Sequence, residues 1–151
     1  MKKALLTFIL VLMLLPTLSY AQAIKEGRSD KIELPCLYIK DTLRFNLPKG
    51  SKKENVFWYG EGFIQSYTLE NGAELRIICG GLHVIPALTG KQYIVTSING
   101  KKRRGKVRKS NLFWREEDFL GIIVLYTNAS EEDKNVLDKI IDGISVQVEK
   151  K

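Results

Sequence analysis

The stretch "GIIVLYTNASEEDKNVLDKIIDGI", residues 121–144, predicts a buried strand followed by a helix. Its first six residues form a continuous apolar run, which is typical of a central strand buried on both faces of a sheet. Ser130 then occupies an N-cap position, and Asp133, three residues later, resembles the acid of a capping box. The hydrophobic period changes at Ser130, so the strand and the helix are successive elements.

The helix is predicted from about Glu131 to Asp142, and Gly143 either ends it or interrupts it. Acidic residues in its first turn lie where the helix dipole favours negative charge. The apolar residues at helical spacing are Val136, Leu137, Ile140, Ile141 and Ile144. Because they share one face, we expect an amphipathic helix that lies across a sheet.

The residues before this stretch indicate antiparallel strands. "TLRFNLP" alternates apolar Leu43, Phe45 and Leu47 with polar residues, and Pro48 ends the run. Two further strand-like runs flank Glu70-Asn71-Gly72, a sequence that favours a tight hairpin turn. The predicted fold class is therefore α+β, an antiparallel sheet covered by the C-terminal amphipathic helix. An N-terminal helix would make it an α/β/α sandwich.

The N-terminus has the pattern of a secretory signal peptide. Lys2 and Lys3 precede an apolar run that is followed by Pro16 and "TLSYAQA". Cleavage after Ala21 is the preferred register, and cleavage after Ala23 also fits. The apolar core of roughly 12 to 15 residues is shorter than the ~20 that span a membrane. We predict a signal peptide at 1–21, a lead-in segment at 22–41 and one domain at 42–151. The protein would be exported to the periplasm or secreted, with no transmembrane span after cleavage.

Cys36 and Cys79 are the only cysteines, and both lie in apolar, strand-like stretches. An exported protein meets conditions in which a disulfide persists. Either the two cysteines form a disulfide, or they are buried free thiols that pack as small hydrophobic residues. A metal site is not expected, because a lone His83 and two distant thiols lack the spacing of metal ligands.

The stretch "INGKKRRGKVRKS", residues 98–110, has seven cationic side chains in nine positions. Loss of the signal peptide would leave 22 basic and 17 acidic side chains, so the positive charge is concentrated in this run. Two geometries fit. A tight turn at Asn99-Gly100 makes the cations part of a strand, whereas a longer loop holds them on a flexible finger. In the strand, Lys102, Arg104, Lys106 and Arg108 share one face.

The run has two interpretations. It is a binding site, or it is a solvated edge that lysine and arginine protect from aggregation. As a site, it combines cations with the neighbouring aromatic "NLFW", a combination common at interface cores. The predicted partner-binding residues are Lys101, Lys102, Arg103, Arg104, Lys106, Arg108, Lys109 and Trp114.

Catalytic chemistry is not indicated. His83 has no nearby serine elbow or cysteine signature. Glu116, Glu117 and Asp118 are adjacent, so they point in different directions, and a solvated turn that offsets the basic run is the preferred interpretation. We expect neither catalytic residues nor a cofactor, and a small periplasmic hydrolase or isomerase using His83 is kept as an alternative.

A family resemblance rests on the "FNLP" strand with its Lys-Gly turn, the strands with a basic hairpin, and the closing "SEEDKNVLDKIIDGISV" helix. Together they resemble the PsbP/Mog1-type α/β/α sandwich. The resemblance implies a non-enzymatic accessory or partner-binding domain. No functional residue carries over, because the chain lacks counterparts of the metal and photosystem contacts of PsbP.

The predicted function is an exported, monomeric binding or accessory protein whose basic hairpin contacts an acidic protein or envelope polymer. Binding of anionic lipid headgroups or polysaccharide is the second hypothesis. Chromosomal nucleic acid is not expected as a partner, because export separates the protein from it.

Overall fold

The computed structural model describes residues 29–37, 39–80 and 86–148. The predicted signal peptide, both cleavage positions and His83 lie outside this part of the chain. Eleven strands and one helix occur among the described residues. The strands are β1 (Ser29–Cys36), β2 (Asp41–Pro48), β3 (Lys52–Lys53), β4 (Phe57–Tyr59), β5 (Gly62–Thr68), β6 (Glu74–Cys79), β7 (Tyr93–Asn99), β8 (Lys102–Val107), β9 (Phe113–Phe119), β10 (Ile122–Ala129) and β11 (Ser145–Val148). The helix, α1, is Glu131–Asp142.

The strands form two antiparallel sheets. The small sheet has the order β1-β2-β11, and the large sheet has the order β3-β5-β6-β10-β9-β8-β7, with β4 also paired to β5. β1 pairs with β2 along its whole length, from Ser29 opposite Pro48 to Cys36 opposite Asp41. The two edges of the large sheet are therefore β7 at one end and β3 with β4 at the other.

The main core lies between the small sheet, α1 and one face of the large sheet, which we call the inner face. Strand alternation directs Leu43, Phe45 and Leu47 of β2 into this core, as their period-two pattern predicts. The large sheet contributes residues such as Ile77 and Val124, and all five are buried. Each such side chain contributes about 1.5–3 kcal/mol on burial, so the inner face is the main source of stability. The opposite, outer face has a smaller cluster: Ile78, Ile123 and Leu125.

The predicted fold class is wrong. Strands take up 58% of the described residues and helix 11%, in a β-rich fold of two sheets. Neither an α+β sheet covered by the helix nor an α/β/α sandwich describes it. The error arises at the two ends of the domain. β1 lies in the segment predicted to be a lead-in, and β11 is a four-residue strand directly after the helix. Both pair with β2, so a second sheet provides the cover that was assigned to helices.

Several local predictions are confirmed. Residues 122–126 of β10 are all buried in the middle of the large sheet. α1 begins after Ser130, whose hydroxyl accepts a hydrogen bond from the Asp133 backbone, and the Asp133 carboxylate accepts one from the Ser130 backbone. Gly143 ends the helix. The β5–β6 hairpin turns at Gly72, which has a positive φ of 86°.

Cys36 and Cys79 form a disulfide, with their Cα atoms 5.4 Å apart. The disulfide alternative is therefore the one present in the structure. Cys36 ends β1 and Cys79 ends β6, so the bond joins the two sheets across the core. Both cysteines are buried in the main core, which protects the bond from reductant while the domain is folded.

Replacing both cysteines by serine should lower the free energy of unfolding by about 2–5 kcal/mol, because the cross-link restrains a 43-residue separation in the unfolded chain. Urea unfolding followed by circular dichroism would measure the loss. The wild type should keep its disulfide in dithiothreitol without urea and lose it when urea opens the domain. Reduction of the folded protein at the same rate as the unfolded one would contradict this prediction.

Candidate partner-binding surface

The basic run forms the hairpin β7–β8 at the end of the large sheet. Asn99 pairs with Lys102, so Gly100 and Lys101 form a two-residue turn, and Gly100 has a φ of 58°. The strand alternative is therefore the one present, with the turn one residue later than Asn99-Gly100, and Gly100 supplies the positive φ that a tight turn needs. β8 continues the sheet through pairing with β9.

Three cations of the run are paired with acids of β9. Lys101 Nζ lies 2.8 Å from Asp118, and Lys102 Nζ lies 3.5 Å from Glu117. Arg103 Nη1 donates to Glu116. The acidic segment therefore offsets the basic run, as predicted, but it is a strand and not the solvated turn that was predicted.

Glu116 has no exposed side-chain surface. Its carboxylate accepts the Arg103 hydrogen bond and the backbone N–H groups of Ala87 and Leu88, at 2.9 and 2.8 Å. These bonds hold residues 87–88 against the outer face of the large sheet. Arg103 is only 16% exposed and is committed to this ion pair, so it is not available to a partner.

Trp114 is also committed to the fold. It is 0% exposed, its Nε1 donates to the Lys106 carbonyl oxygen at 3.2 Å, and its ring meets that of Tyr93 edge to face. Gly105 lies beneath it, and a Cβ atom there would come within 1.8 Å of the Ile94 carbonyl oxygen. Trp114, one of the predicted partner-binding residues, is therefore buried against the hairpin, where it supports β8.

The remaining four cations of the run form no ion pair with a carboxylate among the described residues. We refer to them as the unpaired cations: Arg104, Lys106, Arg108 and Lys109. All four are exposed. Lys106 Nζ lies 5.5 Å from the centre of the Phe113 ring, and Arg108 Nε donates to the Lys91 carbonyl oxygen at 3.2 Å. Arg104 and Lys106 project from the inner face, in the register that pairs them with Arg115 and Phe113.

β7 adds exposed apolar side chains to this surface. Ile94, Val95 and Ile98 are 41%, 38% and 66% exposed. The register puts Ile94 on the inner face, opposite Lys106, and Val95 and Ile98 on the outer face, opposite Gly105 and Arg103. The hairpin therefore presents cations mainly on one face and apolar side chains mainly on the other.

A charge cluster around the buried Arg115 fixes α1 beside the hairpin. Arg115 is 1% exposed and contacts Glu117 and Asp142 at 2.6 Å and Asp138 at 3.0 Å. Lys102 also contacts Asp142, at 3.0 Å. Burial opposes the charge of Asp142, but hydrogen bonds from Arg115 and Lys102 outweigh it and hold the pKa of Asp142 below its usual value. These groups set the helix against β8 and β9.

A second exposed feature lies at the opposite edge of the large sheet, and the sequence reasoning missed it. Phe57 and Trp58 of β4 are each 64% exposed, and Trp58 packs on Phe63 at 5.2 Å between ring centres. The signal was available, because three consecutive aromatic residues follow the polar loop 49–55. Such a short run does not show from sequence whether it is core or surface.

The described residues contain no candidate metal centre. Within residues 29–37, 39–80 and 86–148, no group of three histidine, cysteine or acidic residues is placed to hold a metal ion. A cavity of about 360 Å³ on the small sheet is lined by charges of both signs, among them Glu33, Lys40, Asp41 and Arg44. The hydrolase alternative depends on His83, which is outside these ranges. In the part of the chain that the structure describes, no helix is long and apolar enough to cross a membrane.

No protein-family model, curated protein or solved structure matches this chain. The resemblance to the PsbP/Mog1 family stays a prediction.

Replacing Gly105 with valine should displace β7 and lower the free energy of unfolding by about 1–3 kcal/mol, because the new side chain meets the Ile94 carbonyl and the Trp114 ring. In a Trp58→Phe background, Trp114 is the one tryptophan left, and its emission should shift to longer wavelength. Arg104→Val, at the neighbouring exposed position of β8, is the control and should leave the emission unchanged. An unshifted spectrum for Gly105→Val would show that the close approach is unimportant.

Asp142 should make the protein acid-sensitive. Its pKa in the folded state lies below the ordinary value of 3.8, so the unfolded chain takes up the proton first as pH falls. The stabilisation that charged Asp142 contributes is fully present above the ordinary pKa and is lost as pH falls through the lower pKa of the folded state. Asp142→Asn should therefore flatten the free energy of unfolding below about pH 4, as measured by urea titrations from pH 2.5 to 6. Glu61→Gln, an exposed acid in a turn, is the control, and equal flattening in both variants would contradict the assignment.

Proposed function

We propose that this protein is an exported, non-catalytic binding protein whose β7–β8 hairpin contacts an acidic segment of a partner protein. The observation that carries the proposal is the group of four unpaired cations, Arg104, Lys106, Arg108 and Lys109, beside exposed apolar side chains of β7. Export is part of the proposal and rests on the signal-peptide pattern.

The distribution of ion pairs supports this proposal. The run has enough neighbouring acid to neutralise three of its cations through β9, and the other four remain exposed on β8 and the turn that follows it. Cations held on a strand are positioned before a partner arrives, so binding requires little ordering of the backbone. Concentrated charge of one sign also steers an oppositely charged partner and raises the association rate.

The apolar side chains favour a protein partner over a simple polyanion. Exposed isoleucine adds nothing to a surface that binds only charge, whereas protein interfaces combine an apolar centre with a charged rim. Ile94 and Ile98 supply apolar area within the same hairpin. Anionic lipid or polysaccharide would use the cations and leave Ile98 without a role.

Neutralising Arg104, Lys106 and Arg108 with glutamine should weaken binding of an acidic peptide about tenfold, since each exposed charge contact contributes about 0.2–1 kcal/mol. The probe is a fluorescent nine-residue peptide of glutamate and valine, measured by anisotropy at low and high salt. Lys49→Gln, Lys52→Gln and Lys53→Gln together make the matched control, because they remove the same charge at the opposite edge of the sheet. That variant should bind within about twofold of the wild type.

Two further probes separate the other ligand classes: phosphatidylglycerol vesicles and polygalacturonate. Preferential binding of either one over the peptide would replace the acidic-protein proposal with the lipid or polysaccharide hypothesis. Equal losses in the two triple variants would show that only net charge matters. Absence of binding to all three probes would leave edge protection as the role of the cations and reject the proposal.

A further inference from the structure

Within the part of the chain that the structure describes, β7 is an edge strand. It is the last strand of the large sheet, so β8 occupies one side of it and no described strand occupies the other. The Arg108 N–H donates to the Gln92 carbonyl, and the Val107 N–H donates to the Leu112 carbonyl in the opposite direction. In antiparallel strands, the backbone N–H and C=O groups of successive residues point alternately to the two neighbouring sides. By this alternation, the backbone groups of Val95 point away from β8, towards the open edge. The tight turn likewise directs those of Ile98 outward.

The two faces beside this edge differ in chemistry. On the inner face, Arg104 lies opposite Ser97 and Lys106 lies opposite Ile94. On the outer face, the exposed side chains of β7 at this edge are the apolar Val95 and Ile98.

We propose that β7 binds an extended segment of the partner as an added β-strand, in which acidic residues alternate with apolar residues. The inference rests on the proposed function and specifies the form of its acidic partner. Successive side chains of a strand point to opposite faces, so acids at every second position lie on the inner face near Arg104 and Lys106. The residues between them lie on the outer face against Val95 and Ile98. Backbone hydrogen bonds to the free edge complete the contact.

A second copy of this chain does not fit the same edge. Pairing two β7 strands about a two-fold axis perpendicular to the sheet makes the inner faces continuous. Arg104 and Lys106 of both copies would then lie on one face, and like charges placed together across an interface are costly. The charge of the hairpin therefore selects a partner of opposite sign.

The irregularity in β7 strengthens this selection. The register shifts between Val95 and Ser97, so Thr96 forms a bulge, and its hydroxyl donates to the Arg104 carbonyl at 3.3 Å. Bulges interrupt the ladder of an edge strand and make it a poor template for unselective pairing. An incoming strand would gain fewer backbone bonds than at a regular edge, so its affinity should depend on complementary side chains.

The test uses two nine-residue peptides of the same composition, Ser-Glu-Val-Glu-Val-Glu-Val-Glu-Ser and Ser-Glu-Glu-Glu-Glu-Val-Val-Val-Ser, with anisotropy as the readout. The alternating peptide should bind at least tenfold more tightly than the block peptide. Two versions of it, N-methylated at the amides of its glutamates or of its valines, remove hydrogen-bond donors from opposite edges. One version should lose about tenfold or more in affinity, and the other should bind within about threefold.

The outcomes separate the inference from the proposed function. If alternating and block peptides bind equally, and both depend on Arg104, Lys106 and Arg108, the acidic-partner proposal stands and strand addition is overturned. Equal affinities for the two N-methylated peptides would also overturn it. If no peptide binds, both fail. A protein variant adds an independent check: Ile98→Pro removes an outward N–H and should weaken the alternating peptide about tenfold, whereas Ile98→Thr keeps that N–H and should retain more of the affinity.

Discussion

The packing around β9 in the large sheet depends on hydrogen bonds to the Glu116 carboxylate, which has no exposed surface. An isolated ionised carboxylate is very costly to bury, so Glu116 requires partners from within the protein. It receives one from β8, through Arg103, and two from the backbone of Ala87 and Leu88. Removing one partner from a buried pair typically costs about 3–5 kcal/mol. The basic hairpin and the segment at 87–88 are therefore held to β9 by the same group.

The inner face of β9 repeats this arrangement with the signs reversed. Arg115 is the buried charge, and Glu117 with two acids of α1 are its partners. Because successive residues of a strand point to opposite faces, four consecutive charges can serve two separate clusters. β9 consequently holds Arg103 of the hairpin and residues 87–88 on its outer face, and Lys102 of the hairpin and the helix on its inner face. The basic run is thus partly structural, and only the cations that β9 does not pair are available for binding.

Elements whose signal is local were predictable from the sequence. The apolar run of β10, the capping box at Ser130 and the turn at Gly72 each carry their own physical cause, so the predicted and observed positions agree. The small sheet was not predictable, because β1 and β11 are strands only through pairing with β2. The same limit affected "REED", where adjacent charges usually indicate solvent. The burial of Glu116 depends on Arg103 and that of Arg115 on two acids of α1, all of them more than ten positions away in the chain.

The candidate surface shows the same division between local and tertiary information. The number of cations was readable from the sequence, but which of them are paired depends on the register of β8 against β9. The proposal of recognition over protection rests on the same register. An edge that only resists aggregation needs charges and short or irregular strands, and the bulge at Thr96 would serve that purpose. Ile98, which is 66% exposed, does not help such an edge to resist aggregation. Cations on one face and apolar side chains on the other form an asymmetric surface, and this asymmetry matches a strand whose own two faces differ.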